Sequence, residues 1–160
     1  MFIKKKYIFI ILIIVLSSCS FNNLNKQNKL KDVSIIIQTP DNQDNVLLKE
    51  NLKRLINSNK NSKLKYILKA EIFFNSYETL SVRGLNVLNS TKAIVNYSIV
   101  ESSNGNVIKS GSFTSFPALS SSSSSLYSNE KSTEQIKDRL NLSSAEKMKL
   151  LLKITLSRLN

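Results

Sequence analysis

The twelve residues Lys63 to Phe74, KLKYILKAEIFF, alternate cleanly, with apolar residues at one parity and mostly charged ones at the other. Leu64, Tyr66, Leu68, Ala70, Ile72 and Phe74 fall on one side, and Lys63, Lys65, Lys69 and Glu71 on the other. A period of two is the signature of a strand with one face in a core and one face in water. No helix can satisfy that pattern. The chain must therefore build a sheet with one apolar and one basic, polar face, and something must cover the apolar one.

Covering elements are found on both sides of it. DNVLLKENLKRLIN sets Leu48, Leu52, Leu55 and Ile56 on one helical face, with Asp44 as the expected N-cap and the polar SNKNS at 58–62 as its end. Near the C-terminus, Ser143-Ser144-Ala145-Glu146 has the form of a capping box, and Met148, Leu151, Leu152, Leu156 and Leu159 follow as a stripe. A helical piece over Thr133–Leu140 precedes that helix or runs into it. Val33–Gln38, VSIIIQ, is β-branched and stopped by Thr39-Pro40-Asp41, which marks a further strand. TKAIVNYSIVES and NVIKSGSFTSF read as a hairpin closed by Asn104-Gly105, with both residues expected at positive φ and Gly111 as a bulge. The stretch NSYETLSVRGLNVLNS before it reads as looser, turning at Arg83-Gly84. Residues 117–131, with Pro117 and six serines from Ser120 to Ser125, read as a flexible loop.

The order β-α-β-β-β-α implies an α+β two-layer sandwich, a sheet of about four strands covered on one face by two helices. At 160 residues it is a single domain, expected over 32–160.

The N-terminus sets the address. Lys4, Lys5 and Lys6 precede the apolar run Tyr7–Leu16, which is followed by Ser17, Ser18 and Cys19. That is the plan of a secretory signal, and the run is too short for a spanning helix, which needs about 20 apolar residues. Leu16-Ser17-Ser18-Cys19 resembles the bacterial lipobox, in which the cysteine is lipidated and the chain is cut before it. The expectation is a signal peptide over 1–18, a lipidated tether over 19–31, and Cys19 as the lipidation site, carrying thioether diacylglycerol and an amide-linked acyl chain such as palmitate. Acyl chains on that scale hold a protein on a membrane. Ser20 after the cysteine goes, in such lipoproteins, with the outer membrane, so the domain is expected lipid-anchored there on the periplasmic side.

Composition removes several classes of function. There is no His and one Cys, so the commonest general base is missing and neither an intrachain disulfide nor a cysteine zinc site can form. The three glycines are scattered, and no phosphate loop exists. No enzyme, metal or cofactor is expected. The formal charge is +12; removing residues 1–18 takes away Lys4, Lys5 and Lys6 and no acid, leaving +9. Such a surplus suits anionic partners or simply a solvated surface. An exported chain does not meet nucleic acid, which leaves phosphate on lipid.

Taken together, Leu16–Cys19, the hairpin TKAIVNYSIVESSNGNVIKSGSFTSF, Tyr127 and a last helix closing on SRL resemble the lipopolysaccharide-assembly lipoprotein family, LptE. Two features depart from that family: Lys92 stands where Arg is frequent, and SNEKSTEQIKDRLNLSS replaces an alanine-rich acidic helix start. The resemblance implies an outer-membrane lipoprotein that plugs and stabilises a β-barrel partner and binds lipopolysaccharide during its assembly at the outer membrane. It points to Arg83, Lys92, Lys65 and Lys69 as contacts to lipopolysaccharide or barrel. An auxiliary lipoprotein of an ABC-type lipid transport system, which pairs a lipobox with a small α+β domain, is the alternative.

Overall fold

A computed structural model of the chain describes residues 33–56, 62, 64–80, 87–121 and 125–159. The expected signal peptide, Cys19, the tether, Lys63 and Arg83 lie outside the described residues. The elements are β1 (Ser34–Gln38), α1 (Gln43–Leu55), β2 (Lys65–Leu80), β3 (Val87–Glu101), β4 (Val107–Thr114), β5 (Ala118–Ser121) and α2 (Leu126–Ser157). The fold is the expected α+β type, with five strands rather than about four.

β1 pairs parallel with β2, and β2–β3 and β3–β4 are antiparallel. β5 continues the β4 row, pairing with the opposite end of β3. The alternation in β2 holds: Tyr66, Leu68, Ala70 and Ile72 are buried, and Lys65, Lys69 and Phe73 are exposed. Leu64 is the exception; it precedes the strand and is exposed. Ala93, Val95 and Ile99 of β3 fill the same core, joined by Leu48 and Leu52 from α1 and Ile136, Leu140, Met148, Leu152 and Leu156 from α2. The sheet residues of this cluster lie on the helix-covered side, and the opposite face is mostly open, with Val100 buried on it opposite Ile67.

Four local expectations fail, each for a physical reason. First, the looser stretch is largely strand: β2 runs on to Leu80 and β3 begins at Val87, in unbroken register from Tyr66↔Glu101 to Leu80↔Val87. Polar Asn75, Ser76, Thr91 and Asn89 pair there as readily as apolar residues, and the Ser76 and Thr91 hydroxyls lie 2.9 Å apart. Second, much of 117–131 is regular structure: Ala118–Ser121 pairs with β3 and α2 starts at Leu126, while Ser122, Ser123 and Ser124 lie outside the described residues. Third, Ser143-Glu146 caps nothing. α2 is one helix of 32 residues, N-capped by Ser125, and Ser143 Oγ donates back to the Leu140 carbonyl within it. Fourth, α1 is capped by Asn42, whose Oδ1 accepts from the Asn45 N–H at 3.0 Å, so Asp44 lies in its first turn.

The hairpin turn at Asn104-Gly105 exists, but only Gly105 is at positive φ, +72°. Ser102–Gly105 form a four-residue loop in which the Gly105 N–H donates to the Glu101 carbonyl. Gly111 sits in regular register opposite Tyr97, under the tyrosine ring; the irregularity falls at Ile99/Val100, where β4 carries an extra residue.

Buried asparagines join the layers. Asn45 is fully buried; its Oδ1 accepts from the Ile72 N–H at 2.7 Å and its Nδ2 donates to the Ile72 carbonyl at 3.3 Å. Beyond the end of β1 this amide takes the place of a neighbouring strand. Asn141 of α2 accepts from Asn51 Nδ2 at 3.1 Å and donates to the Asp44 carbonyl at 2.8 Å, tying the two helices. On the other side of the sheet, Ser115 bridges the break between β4 and β5 by taking both backbone groups of Ala93.

Replacing Asn45 by Ala strands the N–H and C=O of Ile72 in the core, at about 1–3 kcal/mol for a buried group left unsatisfied. Denaturant unfolding of Asn45→Ala is expected to show a loss of about 2–4 kcal/mol on that basis. Gly105→Ala should cost about 1–2 kcal/mol, the penalty of a side chain in the left-handed region, read in the same assay.

Candidate functional site

The open face of the sheet is built by the residues that alternate with the core. Strand pairing sets them in cross-strand rows: Gln38, Lys69, Ser98 and Ser110 form one, and Glu71, Asn96 and Ser112 the next. These two rows line a wide, shallow depression of about 770 Å³, with Thr39 and Pro40 at its rim. The Thr39 hydroxyl there is buried and has no hydrogen-bond partner. Amides, hydroxyls, one ammonium and one carboxylate make this a surface for polar, oxygen-rich groups rather than for a hydrocarbon.

Three of the four basic residues singled out from sequence share this face. Lys65 and Lys69 are exposed on β2 and take part in no ion pair among the described residues; both point away from the core, as the alternation requires. They stand about 13 Å apart, at roughly 3.3 Å per strand residue. Lys92 lies on the same face opposite Asn75. That position is six residues further along β2 than Lys69, about 20 Å away, so Lys92 belongs to a second patch.

That second patch is aromatic. Lys92 Nζ sits 5.2 Å from the centroid of the Tyr77 ring, and Tyr77, Phe73 and Leu119 are each more than two-fifths exposed. The Tyr77 hydroxyl is held below its ordinary 10.0, first by hydrogen bonding to Ser90 and then by the Lys92 ammonium, both of which favour the phenolate. Phe116, 93 % exposed, stands at the break between β4 and β5.

The lysines on β2 were legible because the period-two pattern is local. Gln38, Asn96, Ser98, Ser110 and Ser112 were not singled out, since their convergence depends on which residues pair across three strands. Their signal is the polar alternation Asn96/Ser98 and Ser110/Ser112, which becomes meaningful only in register. Among the described residues no group of His, Cys, Asp and Glu could hold a metal ion, and no helix is long and apolar enough to cross a membrane.

No protein-family model matches the chain, and no curated protein does. Solved structures do. A Caulobacter crescentus CB15 protein provisionally classed as a lipoprotein superposes with a TM-score of 0.61 at 15% identity, covering 84% of this chain and 96% of that one. A minor lipoprotein from Acinetobacter baumannii gives 0.56 at 17%, covering 81% and 93%. The rare lipoprotein B from Shewanella oneidensis gives 0.52 at 11%, covering 79% and 98%. The fold is therefore one that bacterial proteins described as lipoproteins adopt, over nearly their whole resolved length.

Removing the Lys92 ammonium should let the Tyr77 phenol rise towards 10.0. Ultraviolet titration of Lys92→Met against the parent, with Tyr77→Phe identifying the contribution, is expected to show one of the five tyrosines moving upwards.

Proposed function

We propose that the chain is an envelope lipoprotein, anchored through Cys19 in the outer membrane with its domain on the periplasmic side. It binds lipopolysaccharide and works with an outer-membrane β-barrel in lipopolysaccharide assembly. The anchor rests on Leu16–Cys19 after a short apolar run, and is supported by a fold that proteins described as lipoproteins share.

One observation carries the binding step: Lys65, Lys69 and Lys92 share an open sheet face on which Glu71 is the only acid of the paired β2–β3 rows. Lipopolysaccharide offers phosphates to those ammonium groups as charge-assisted contacts, and its sugars offer hydroxyls to the Ser and Asn rows. The same polar face suits the wet interior of a large barrel. The role proposed is one of recognition, and no reaction is assigned to the chain.

Two measurements test this. Depletion of the protein in its host is expected to lower both the mature barrel and surface lipopolysaccharide; unchanged levels of both would refute the proposal. Purification of the anchored protein followed by mass spectrometry should recover the barrel, whereas an inner-membrane transporter in its place would assign the chain to an ABC-type lipid transport system. For the contacts, Lys65→Glu with Lys69→Glu is expected to weaken lipopolysaccharide binding by about tenfold or more, the scale of losing one charge-assisted bond of about 1.5–3 kcal/mol. Arg83→Glu tests the remaining basic position in the same titration.

A further inference from the structure

The row of the sheet beyond β2 is only partly filled. β1 pairs with residues 65–69 and ends at Thr39-Pro40, where a proline has no N–H to continue the ladder. Asn45 then meets the backbone of Ile72. From Phe73 to Leu80, eight residues of β2 remain bonded to β3 on one side and have no strand on the other among the described residues.

The direction of the free groups follows from Ile72. Its N–H and C=O point away from β3, towards Asn45, so the alternate residues Phe74, Ser76, Glu78 and Leu80 turn their N–H and C=O the same way. None of these groups has a partner among the described residues. A row of alternating donors and acceptors is matched by one thing, the backbone of another extended chain.

Natural edges are usually blunted by bulges, Pro, Gly or Lys. The β4 edge shows these devices: an extra residue at the Ile99/Val100 register shift, Lys109, Gly111, and Pro117 just beyond it. The β2 edge has none of them from Phe73 to Leu80, and its register is regular to the end. Beside it lies a groove of about 430 Å³ between the N-terminal parts of the two helices, with Asp44, Glu130, Glu134, Asp138 and Lys137 in its wall. Lys131 pairs with Glu134 at 2.7 Å and Lys137 with Asp44, which leaves Glu130 and Asp138 outside any ion pair among the described residues. Lys137 links groove to edge, standing 5.4 Å from the Phe74 ring and 3.8 Å from Asp44. In a strongly basic protein this is an acidic corner.

We infer that β2 from Phe73 to Leu80 is a docking edge for an extended, basic segment of another polypeptide, which adds as a strand in line with β1 and sets Lys or Arg against the acidic groove. A second copy of this chain pairing through the same edge fits less well, because it would bring a second acidic corner and another Glu78 against the first. The inference stands apart from the lipopolysaccharide reading, since it uses neither the open-face lysines nor the anchor.

The test uses the full chain and a displayed library of random peptides of about eight residues, the length of the gap. Enrichment of sequences that alternate apolar residues with Lys or Arg is expected. Glu78→Pro, which removes an outward N–H without breaking a bond to β3, should weaken an enriched peptide by about tenfold, and Glu78→Thr, which keeps the N–H, by much less. Amide exchange at Phe74, Ser76, Glu78 and Leu80 should be fast in the free protein and slow when peptide is added, a measurement that needs no variant. The inference is overturned if no such peptides emerge, if those that emerge ignore the proline, or if these amides are already protected without peptide. A dimer seen by sedimentation and dissolved by Glu78→Pro would also overturn it, giving the edge to a second copy.

Discussion

The amide of Asn45 holds the two layers in place. A helix covering a sheet normally relies on apolar contacts, which slide at low cost because they have no direction. Here one buried side chain meets both backbone groups of Ile72, and those bonds are directional. α1 is thereby pinned at one point along β2, with Leu48 and Leu52 set into the core from that point. Asn141 passes the constraint on: it grips the Asp44 carbonyl and Asn51, so the register of α2 depends on where α1 already sits. On the far side Ser115 does a similar service for Ala93. Side chains thus continue the ladder at Ile72 and Ala93, where a neighbouring strand is missing.

What could be read from sequence follows the range of the physics involved. The face of β2 was plain, because alternation from Tyr66 to Ile72 is a property of adjacent residues. The helices were plain for the same reason, through Leu48 and Leu52 and through Met148, Leu152 and Leu156. Extents were harder. β2 and β3 continue through Asn75, Ser76, Asn89 and Thr91 because each strand supplies the other's hydrogen bonds, whatever its own propensity. The serine run gains strand structure at Ala118–Ser121 in the same way, from the free edge of β3. The cap of α1 was misplaced by two residues, since Asn42 and Asp44 are both competent and only the docking of Asn45 decides between them. Of the site, the lysines were visible and the Ser and Asn rows were not, being assembled from three strands.

The open face has two characters that the overall charge conceals. Around Lys69 it is hydrophilic and shallow, with hydroxyls and amides in rows; around Lys92 it is aromatic, with the ammonium lying against Tyr77. The opposite side, at the N-terminal parts of the helices, is acidic in an otherwise basic protein. A ligand or partner drawn in by long-range attraction is therefore sorted at short range by which of these surfaces it fits.

The continuity of α2 has a bearing on how the protein is made. Its 32 residues follow all the described strands, and they supply Ile136, Leu140, Met148, Leu152 and Leu156, a large share of the core. All five described strands have left the ribosome before that helix exists. During this interval Val95, Ile99 and their neighbours face water with only α1 to shelter part of them. The nascent sheet is thus a sticky intermediate by construction, exposed until α2 arrives to cover it.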